Sequence, residues 1–510
     1  VEKADPIVSR TTAAHASQAN DLSRPKDYKD HAMSSAPDYS SFPKKATRDL
    51  QHIPGDYGLP VIGYTVDFFR DLPGLVDRKR RQYGDVFRLG DLFQRSIYLV
   101  GPDANEFLLK DSDKNFSNKL AWDTVLDKLF TNGLMLRDFD NHRFHRRILQ
   151  EAFKKPVLQA YVDRMNPVFS NGIKRWPQHG YFDFFKTIKS LLLDTATTIF
   201  LGEDLGPEAS KVNQAFVDLV DASLAVFRVP IPGTTWARGL SGRRFLEQFF
   251  KSRLAGKRAG DSNDFFSKIC QAVDEDGNRL SDDEIVDHMI FLLFAAHDTT
   301  TSTLSSIVYE LTRNPQWQDV LREEMSTLDK DTITYDELDG LEKTSWVLRE
   351  TLRMHPPLPV IPRRALRDCD FKGFRIPKNA GVMIHPLYTH YMSEYWTNPA
   401  AFDPLRWSPE RNEAKGHFYQ FVPFGGGAHK CLGLNFAEVQ TKTFLFHLLR
   451  NYRVEMQPHH NMKYSLVPLA VPSNGLPVQL HRVATPNPAA HTDAAHGSEG
   501  GVCPFGFSNK

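Results

Sequence analysis

The stretch Phe424-Gly-Gly-Gly-Ala-His-Lys-Cys431-Leu-Gly433 constrains this chain more than any other. Its cysteine has glycines on both sides. Directly after it, Leu434 to Tyr452 reads as a helix, with Phe436, Ala437, Phe444, Leu445, Leu448 and Leu449 at helical spacing. Cys431 is therefore predicted at or just before a helix N-terminus. There, free backbone N–H groups and the positive end of the macrodipole stabilise an anionic sulfur. A thiolate held that way can act as an axial metal ligand. The three glycines let the backbone pass close to a large flat object, and Gly433 allows a tight approach on the other side of the sulfur. A buried free cysteine in a glycine-rich turn is the plainer alternative.

Composition narrows the setting. The chain has 510 residues, 41% hydrophobic and 25% charged, with net charge +1. That balance is ordinary for a globular protein and gives no pointer to nucleic acid. Length alone suggests about three domains. Cys270, Cys369, Cys431 and Cys503 lack metal-ligand spacing, so neither a disulfide scaffold nor a zinc site is indicated. No apolar run reaches the roughly 20 residues that span a bilayer, and no secretory signal opens the chain. It begins at Val1 rather than Met, so trimming, including loss of an N-terminal anchor, stays open; Met33 is a candidate internal start. Residues 1–48 read as a polar, disordered leader, 49–483 as the ordered domain, and 484–510 as a disordered tail rich in Ala, His, Gly and Pro.

Order begins at Ile53-Pro-Gly-Asp-Tyr-Gly-Leu-Pro60-Val-Ile-Gly63, too rich in Pro and Gly to be helix. Val86 to Gly90 and Ser96 to Val100 read as a strand pair. A helix from Asp140 to Phe153 places His142 and Arg146 on one face, which alone would suit a solvated basic patch. From 155 to 275 the chain is mostly helical, with breaks at Pro207, Pro230 to Gly233 and Asp261. Phe216, Leu219, Val220, Leu224 and Phe227 there suit either a core or an apolar site. Ser281-Asp-Asp-Glu284 is a capping box that opens a helix running to Arg313, stopped by Asn314-Pro315. Met289 to Ala296 is apolar all round and is expected to be buried, yet Asp298 and Thr299 follow directly, and burying them is costly without partners. Another helix, Leu341 to Met354, carries Glu350 and Arg353 on one face. Phe371 to Pro377 and Ala380 to Ile384 read as a hairpin, and Ser465 to Leu480 carries short strands.

The pattern Phe-x-x-Gly-x-x-x-Cys-x-Gly before an amphipathic helix resembles the heme-thiolate signature of the cytochrome P450 family. Ala295-Ala-His-Asp298-Thr299-Thr300 is similar to the family's oxygen-groove motif, and Glu350-x-x-Arg353 with Arg406 resembles its buried ion network. These motifs occur in the family's order over about 53–483. The Pro-rich hinge resembles retinoid hydroxylases, and His429, where Arg is most usual, also occurs in the sterol demethylase branch. The resemblance implies a mainly α fold with a small β-rich lobe. It implies heme b bound by Cys431, a thiolate ligand that favours O–O cleavage. It also implies cofactor contacts from Phe424, Gly425, Gly433 and Ala295, and propionate contacts from His142, Arg146, His429 and Arg363, with Arg364 second. His429 would carry a pH-dependent charge. Thr299 would hydrogen-bond the dioxygen being cleaved, Asp298 would relay protons, and Glu350, Arg353 and Arg406 would be structural. Phe291, Phe294, Val360, Ile361, Leu469 and Ala470 would meet the substrate.

The implied reaction inserts one atom of O2 into a lipid-like molecule: a terpenoid, steroid, retinoid or fatty acid. No flavin or iron–sulfur segment is visible, so a separate donor, a ferredoxin with its reductase or a flavin reductase, would supply electrons. The expected protein is a cytoplasmic, soluble monomer. Ala296, where the family usually has Gly, leaves the groove geometry open. A non-oxygenating heme-thiolate enzyme that rearranges a peroxide, and a heme-binding sensor, are the alternatives. Cys503-Pro504 resembles a heme-regulatory dipeptide, though chance explains such a pair in a tail.

Overall fold

The computed structural model describes residues 39–483 apart from 92–93, 127, 204, 224, 226 and 468. Most of the expected leader, Met33, Leu224, the tail from 484 and Cys503-Pro504 lie outside the described residues. About 53% of the chain is helical. The longest helix, Asp282–Arg313, begins at the expected box: Ser281 Oγ accepts from the Glu284 N–H, and the Glu284 carboxylate accepts from the Ser281 N–H at 3.0 Å. At about 1.5 Å per residue it spans roughly 48 Å and crosses the whole molecule. It packs on Phe184–Leu201 and Thr235–Lys251, while Leu434–Leu449 packs on Lys155–Lys174. The helix after the cysteine ends three residues earlier than its periodicity suggests, because Tyr452 opens a strand.

The β-rich part is small. A five-stranded sheet runs in the order Val86–Asp91, Gln94–Leu99, Gly381–Ile384, Ile361–Ala365, Phe116–Ser117. The expected hairpin between Phe371–Pro377 and Ala380–Ile384 does not form. Cys369–Phe371 instead pairs with Phe374–Ile376 through a turn in which Lys372 and Gly373 have φ of 48° and 82°. Gly381–Ile384 pairs in parallel with Gln94–Leu99 and antiparallel with Ile361–Ala365. Tyr452–Met456, Pro477–Arg482 and Phe182–Asp183 make a second sheet. One apolar core runs through the helices, and a smaller one lies under the five-stranded sheet. Phe216 and Leu219 belong to the helical core, whereas Phe227 is exposed. Among the described residues no helix is long and apolar enough to cross a membrane.

A buried ionic knot holds the lower half together. Glu350, Arg353 and Arg406 are all withdrawn from water. Arg353 grips Glu350 with two donors, at 2.9 and 2.7 Å. Arg406 Nε donates to Glu350 Oε1 at 2.9 Å and Trp407 Nε1 to Oε2 at 3.0 Å. The second guanidinium is balanced by Glu413 at 2.7 Å. Arg353 also donates to the His390 carbonyl at 2.8 Å. The His390 ring sits between the Arg353 carbonyl, 3.1 Å from Nδ1, and the Val422 N–H, which donates to Nε2 at 3.0 Å. One carboxylate thereby ties the Glu342–Met354 helix to the approach of the cysteine loop.

Two predictions follow from this packing. Glu350→Ala strands the buried Arg353 guanidinium and leaves Arg406 with Glu413 alone, a loss of about 3–5 kcal/mol. Trp407→Phe removes a single donor to a charged acceptor, about 1.5–3 kcal/mol. Thermal unfolding should find little folded Glu350→Ala and a folded Trp407→Phe with a lowered midpoint; equal midpoints for both variants and the parent would refute the knot's role. The second concerns acid. Burial, reinforced at His142 by Arg146 and at His390 by Arg353, holds His142, His385 and His390 down at about 3; burial likewise holds His145 and His447 at about 4. The unfolded chain takes up these protons near pH 6.5 and the folded chain does not. Their contribution is therefore complete above that value and is lost as pH falls toward 4, by about 1.4 kcal/mol per pH unit for each histidine. Urea midpoints should agree at about pH 8 and pH 7 and drop steeply between about pH 6 and pH 5; a midpoint constant down to about pH 5 is the opposing result.

Candidate functional site

The cysteine loop is closed by backbone bonds: Gly425 N–H to the Val422 carbonyl at 3.0 Å, Lys430 N–H to Gly427 at 3.2 Å, and Cys431 N–H to Phe424 at 2.9 Å. Gly425 and Gly427 adopt φ of 67° and 61°, which side chains disfavour. A Cβ on Gly427 would collide with the Leu109 carbonyl, and one on Gly426 would crowd Tyr419 and Leu109. Two of the three glycines thus serve packing on the end of the Pro102–Lys110 helix, not only the approach of a flat group. Gly433 differs: a Cβ there would meet nothing within 4 Å. It is the N-cap of the Leu434–Leu449 helix. Cys431 is accessible and lines a recess of about 550 Å³ together with Arg146, Gln150, Phe153, Lys430 and Leu434. The expected low thiol pKa does not follow from the protein alone. Burial pushes it up, against the Gly433 N–H, Arg146 and Lys430, which pull it down.

Cationic side chains converge beside this loop. The Phe139–Gln150 helix carries His142 and Arg146, and Ile361–Ala365 carries Arg363. His142 and His429 face each other with ring centroids 4.0 Å apart. His429 Nε2 lies 3.7 Å from Asp138, the residue just before that helix. Burial, with His142 and the guanidiniums of Arg363 and Arg146, holds His429 well below its ordinary value. The expected change of charge near neutral pH is therefore absent from this frame. Arg363 is buried and donates only to the neighbouring Pro362 carbonyl, at 2.8 Å; burial brings it down to about 10 despite Asp138 and Asp111. Arg364 is already engaged by Asn379 at 2.8 Å. Among the described residues neither Arg146 nor Arg363 has a carboxylate within ion-pair distance.

The long helix supplies the opposite wall. It is buried on every side from Ile285 to Ile290 and from Thr300 to Leu311. Between them Ala295 is exposed, and Phe291, Leu292, Phe294, Ala296 and Thr299 are half-buried. The expected full burial of Met289 to Ala296 therefore fails on one stripe. The helix runs unbroken through Ala296. Thr299 Oγ1 donates to the Ala295 carbonyl at 2.9 Å, and Thr303 Oγ1 donates to the Thr299 carbonyl at 3.0 Å. Asp298 lies 2.9 Å from Lys189 Nζ and 3.1 Å from His297 Nδ1. Burial would raise its pKa, but the His297 contact and then Lys189 hold it down at about 2. His297 Nε2 is 2.9 Å from the Lys189 carbonyl, and its ring stands edge-on to Phe216.

Apolar residues complete the stripe. Val360 and Leu469 are half-buried, and Ile361 and Ala470 are buried. The Ala470 N–H donates to Pro357 at 3.0 Å, and its carbonyl accepts from Ser302 Oγ, which holds this segment against the long helix. Several partners have no local signature and are brought in only by tertiary packing: Lys189, Asp138, Glu413 and His390. A further pair, His145 Nδ1 and His288 Nε2 at 2.8 Å, joins the His142 helix to the long helix, with His145 Nε2 3.2 Å from Glu284.

Comparison with known proteins identifies the family of the chain. The family model for cytochrome P450 matches residues 53–480. A putative cytochrome P450 136 of Mycobacterium tuberculosis is 36% identical over 453 residues, covering 86% of this chain and 92% of the relative. A taxane 10-beta-hydroxylase of Taxus cuspidata is 26% identical over 446 residues, covering 84% of this chain and 89% of the relative. The structure of retinoic acid bound cyanobacterial CYP120A1 superposes with a TM-score of 0.76 at 27% identity, covering 84% of this chain and 99% of that one. This chain belongs to the cytochrome P450 family and is a heme-binding monooxygenase.

Proposed function

We propose that Cys431 would supply the thiolate ligand of heme b, that Arg146, Arg363, His142 and His429 would hold its propionates, and that the substrate is an isoprenoid-like lipid. The observation that carries this reading is the pair of guanidiniums beside the Cys431 loop with no acidic partner among the described residues. A buried cation left so is costly; a flat dicarboxylate supplies what both lack, in the forked geometry that arginine favours. The open side of Gly433 suits the same flat group, and Phe424, Gly425 and Ala295 flank it. Bound metal deprotonates a coordinating thiol outright, which overrides the upward push of burial on Cys431. Heme, when bound, supplies the oxygen-activating chemistry.

The chain's own groups handle protons and orientation. Lys189 reaches the surface, with its side chain 36% exposed, and pairs with Asp298 inside. Asp298 is held anionic next to Thr299, so it is placed to take a proton from the Lys189 side and pass it to the Thr299 hydroxyl. Thr299 keeps its acceptor lone pairs free while its own proton rests on Ala295. Phe291, Phe294, Val360, Ile361, Leu469 and Ala470 present apolar surface and exclude water. The retinoic acid ligand of the structural neighbour and the taxane named for the plant relative are both isoprenoids, which favours that class over fatty acids. Electrons come from a separate ferredoxin or flavin reductase, and the active species is a monomer.

Two measurements test this reading. Ferric protein titrated with a retinoid, a diterpenoid, a steroid and a fatty acid should show a low-to-high-spin shift with the retinoid or diterpenoid. A shift with the fatty acid alone would sink the isoprenoid assignment. Thr299→Ala should cut product formed per electron consumed at least fivefold while the reduced carbon monoxide complex keeps its thiolate signature; unchanged coupling would remove Thr299 from proton delivery.

A further inference from the structure

Asp287 is a buried carboxylate on the long helix that none of the roles above uses. Four and seven residues beyond it stand Phe291 and Phe294, so all three lie along one side of the helix. Its carboxylate gathers partners from two other elements. Thr131 Oγ1 donates to it at 3.2 Å and Asn132 Nδ2 at 3.0 Å. The Arg243 guanidinium, from the Thr235–Lys251 helix, donates to it as well. The same guanidinium donates to the Leu129 carbonyl at 3.0 Å and to Glu247 at 2.7 Å. Asn132 is fixed from its other end, since its carbonyl accepts from Arg137 Nε at 2.8 Å.

The segment pinned in this way lies directly on the apolar stripe. Phe130, wholly buried, sits with its ring centroid 4.4 Å from that of Phe294. Gly133 presses so closely that a Cβ would come within 2.6 Å of the Phe291 ring. Asn132 holds φ at 54°, a strained value for most residues, and its amide contact with Asp287 is what that turn delivers. An aromatic edge held by a charged anchor has one available shape, whereas the same edge on a loose loop would sample many.

We propose that Asp287, together with Arg243, is a latch that clamps residues 129–133 onto the long helix and so positions Phe130 as the fixed backing of Phe294 in the substrate wall. Asp287 acts through Phe130 and is a positioning residue. It sets how well the wall accepts a bulky apolar ligand and leaves a ligand too small to reach the wall unaffected. The inference rests on the reading of the half-buried stripe as the substrate wall.

The test uses the heme-loaded protein and two probes that bind ferric iron through nitrogen and are read by their spectral shift: imidazole, too small to reach the wall that Phe130 backs, and 4-phenylimidazole, which extends toward that wall. Asp287→Asn keeps Arg243 paired with Glu247. Thr131→Val with Asn132→Gly leaves the Asp287–Arg243 pair intact and tolerates the left-handed turn, and it serves if the first variant folds poorly. In either, 4-phenylimidazole should weaken at least fivefold while imidazole stays within twofold. Deuterium exchange at the amides of residues 129–133 should speed up at least tenfold. Phe130→Ala should reproduce the 4-phenylimidazole loss and add nothing further when combined with Asp287→Asn. Unchanged binding of both probes, equal weakening of both, or full additivity with Phe130→Ala would each overturn the latch. A parent protein giving no shift with imidazole would instead overturn the heme-site reading and this inference with it.

Discussion

One carboxylate out of contact with water, shared by two guanidiniums, is the constraint on which the site depends. Glu350 could not be ionised at that depth without Arg353 and Arg406, and Arg353 has no other carboxylate within ion-pair distance among the described residues. Burial alone would raise the Glu350 pKa; Arg353 and then Arg406 bring it below the ordinary range. The knot fixes more than its own three members. Through the His390 carbonyl and ring it reaches the Val422 N–H, two residues before Phe424, whose carbonyl closes the loop on Cys431. The sulfur's position is thus inherited from an ion cluster that takes no part in chemistry.

The upper half shows the opposite balance. Around Cys431 positive charge is left over: among the described residues Arg146 and Arg363 have no acid within ion-pair distance, and burial and those same cations hold His142 and His429 below the ordinary histidine range. Charge is thus settled at Glu350 and left unsettled beside the cysteine loop, and the proposed propionate contacts rest on that difference. On the long helix a third solution appears. Asp298 is paired to Lys189 and to His297, so its charge is stable, and it directly precedes Thr299 in the helix. Asp287, three turns earlier, spends its charge on holding a loop.

How much of this the sequence discloses depends on how local each cause is. The Ser281 capping box and the Asn314-Pro315 stop are set by neighbours a few residues apart, and the helix runs as they predict. The Glu350–Arg353 pair is a helix-face neighbour, and its company with Arg406 was legible by resemblance. The partner of Gly381–Ile384 was not, because adjacency in sequence favours a hairpin while the strand pairs with Gln94–Leu99, far earlier in the chain. Lys189 escaped for the same reason: the residue it meets through its carbonyl, His297, lies 108 positions away. The glycines of the cysteine loop were read as making room for one flat object. Leu109, which needs two of them, comes from a helix near the other end of the chain. Periodicity also misled at Met289 to Ala296, since an all-apolar stretch looks the same whether it meets core on every side or leaves one stripe half-buried.

The most direct measurement is the reduced carbon monoxide spectrum of the parent protein and of Cys431→His, each loaded with heme. The account predicts a thiolate signature in the parent and its loss in Cys431→His, with heme still bound through Arg146 and Arg363. A thiolate signature that persists in Cys431→His would contradict the assignment of the ligand and move it to another cysteine of the chain.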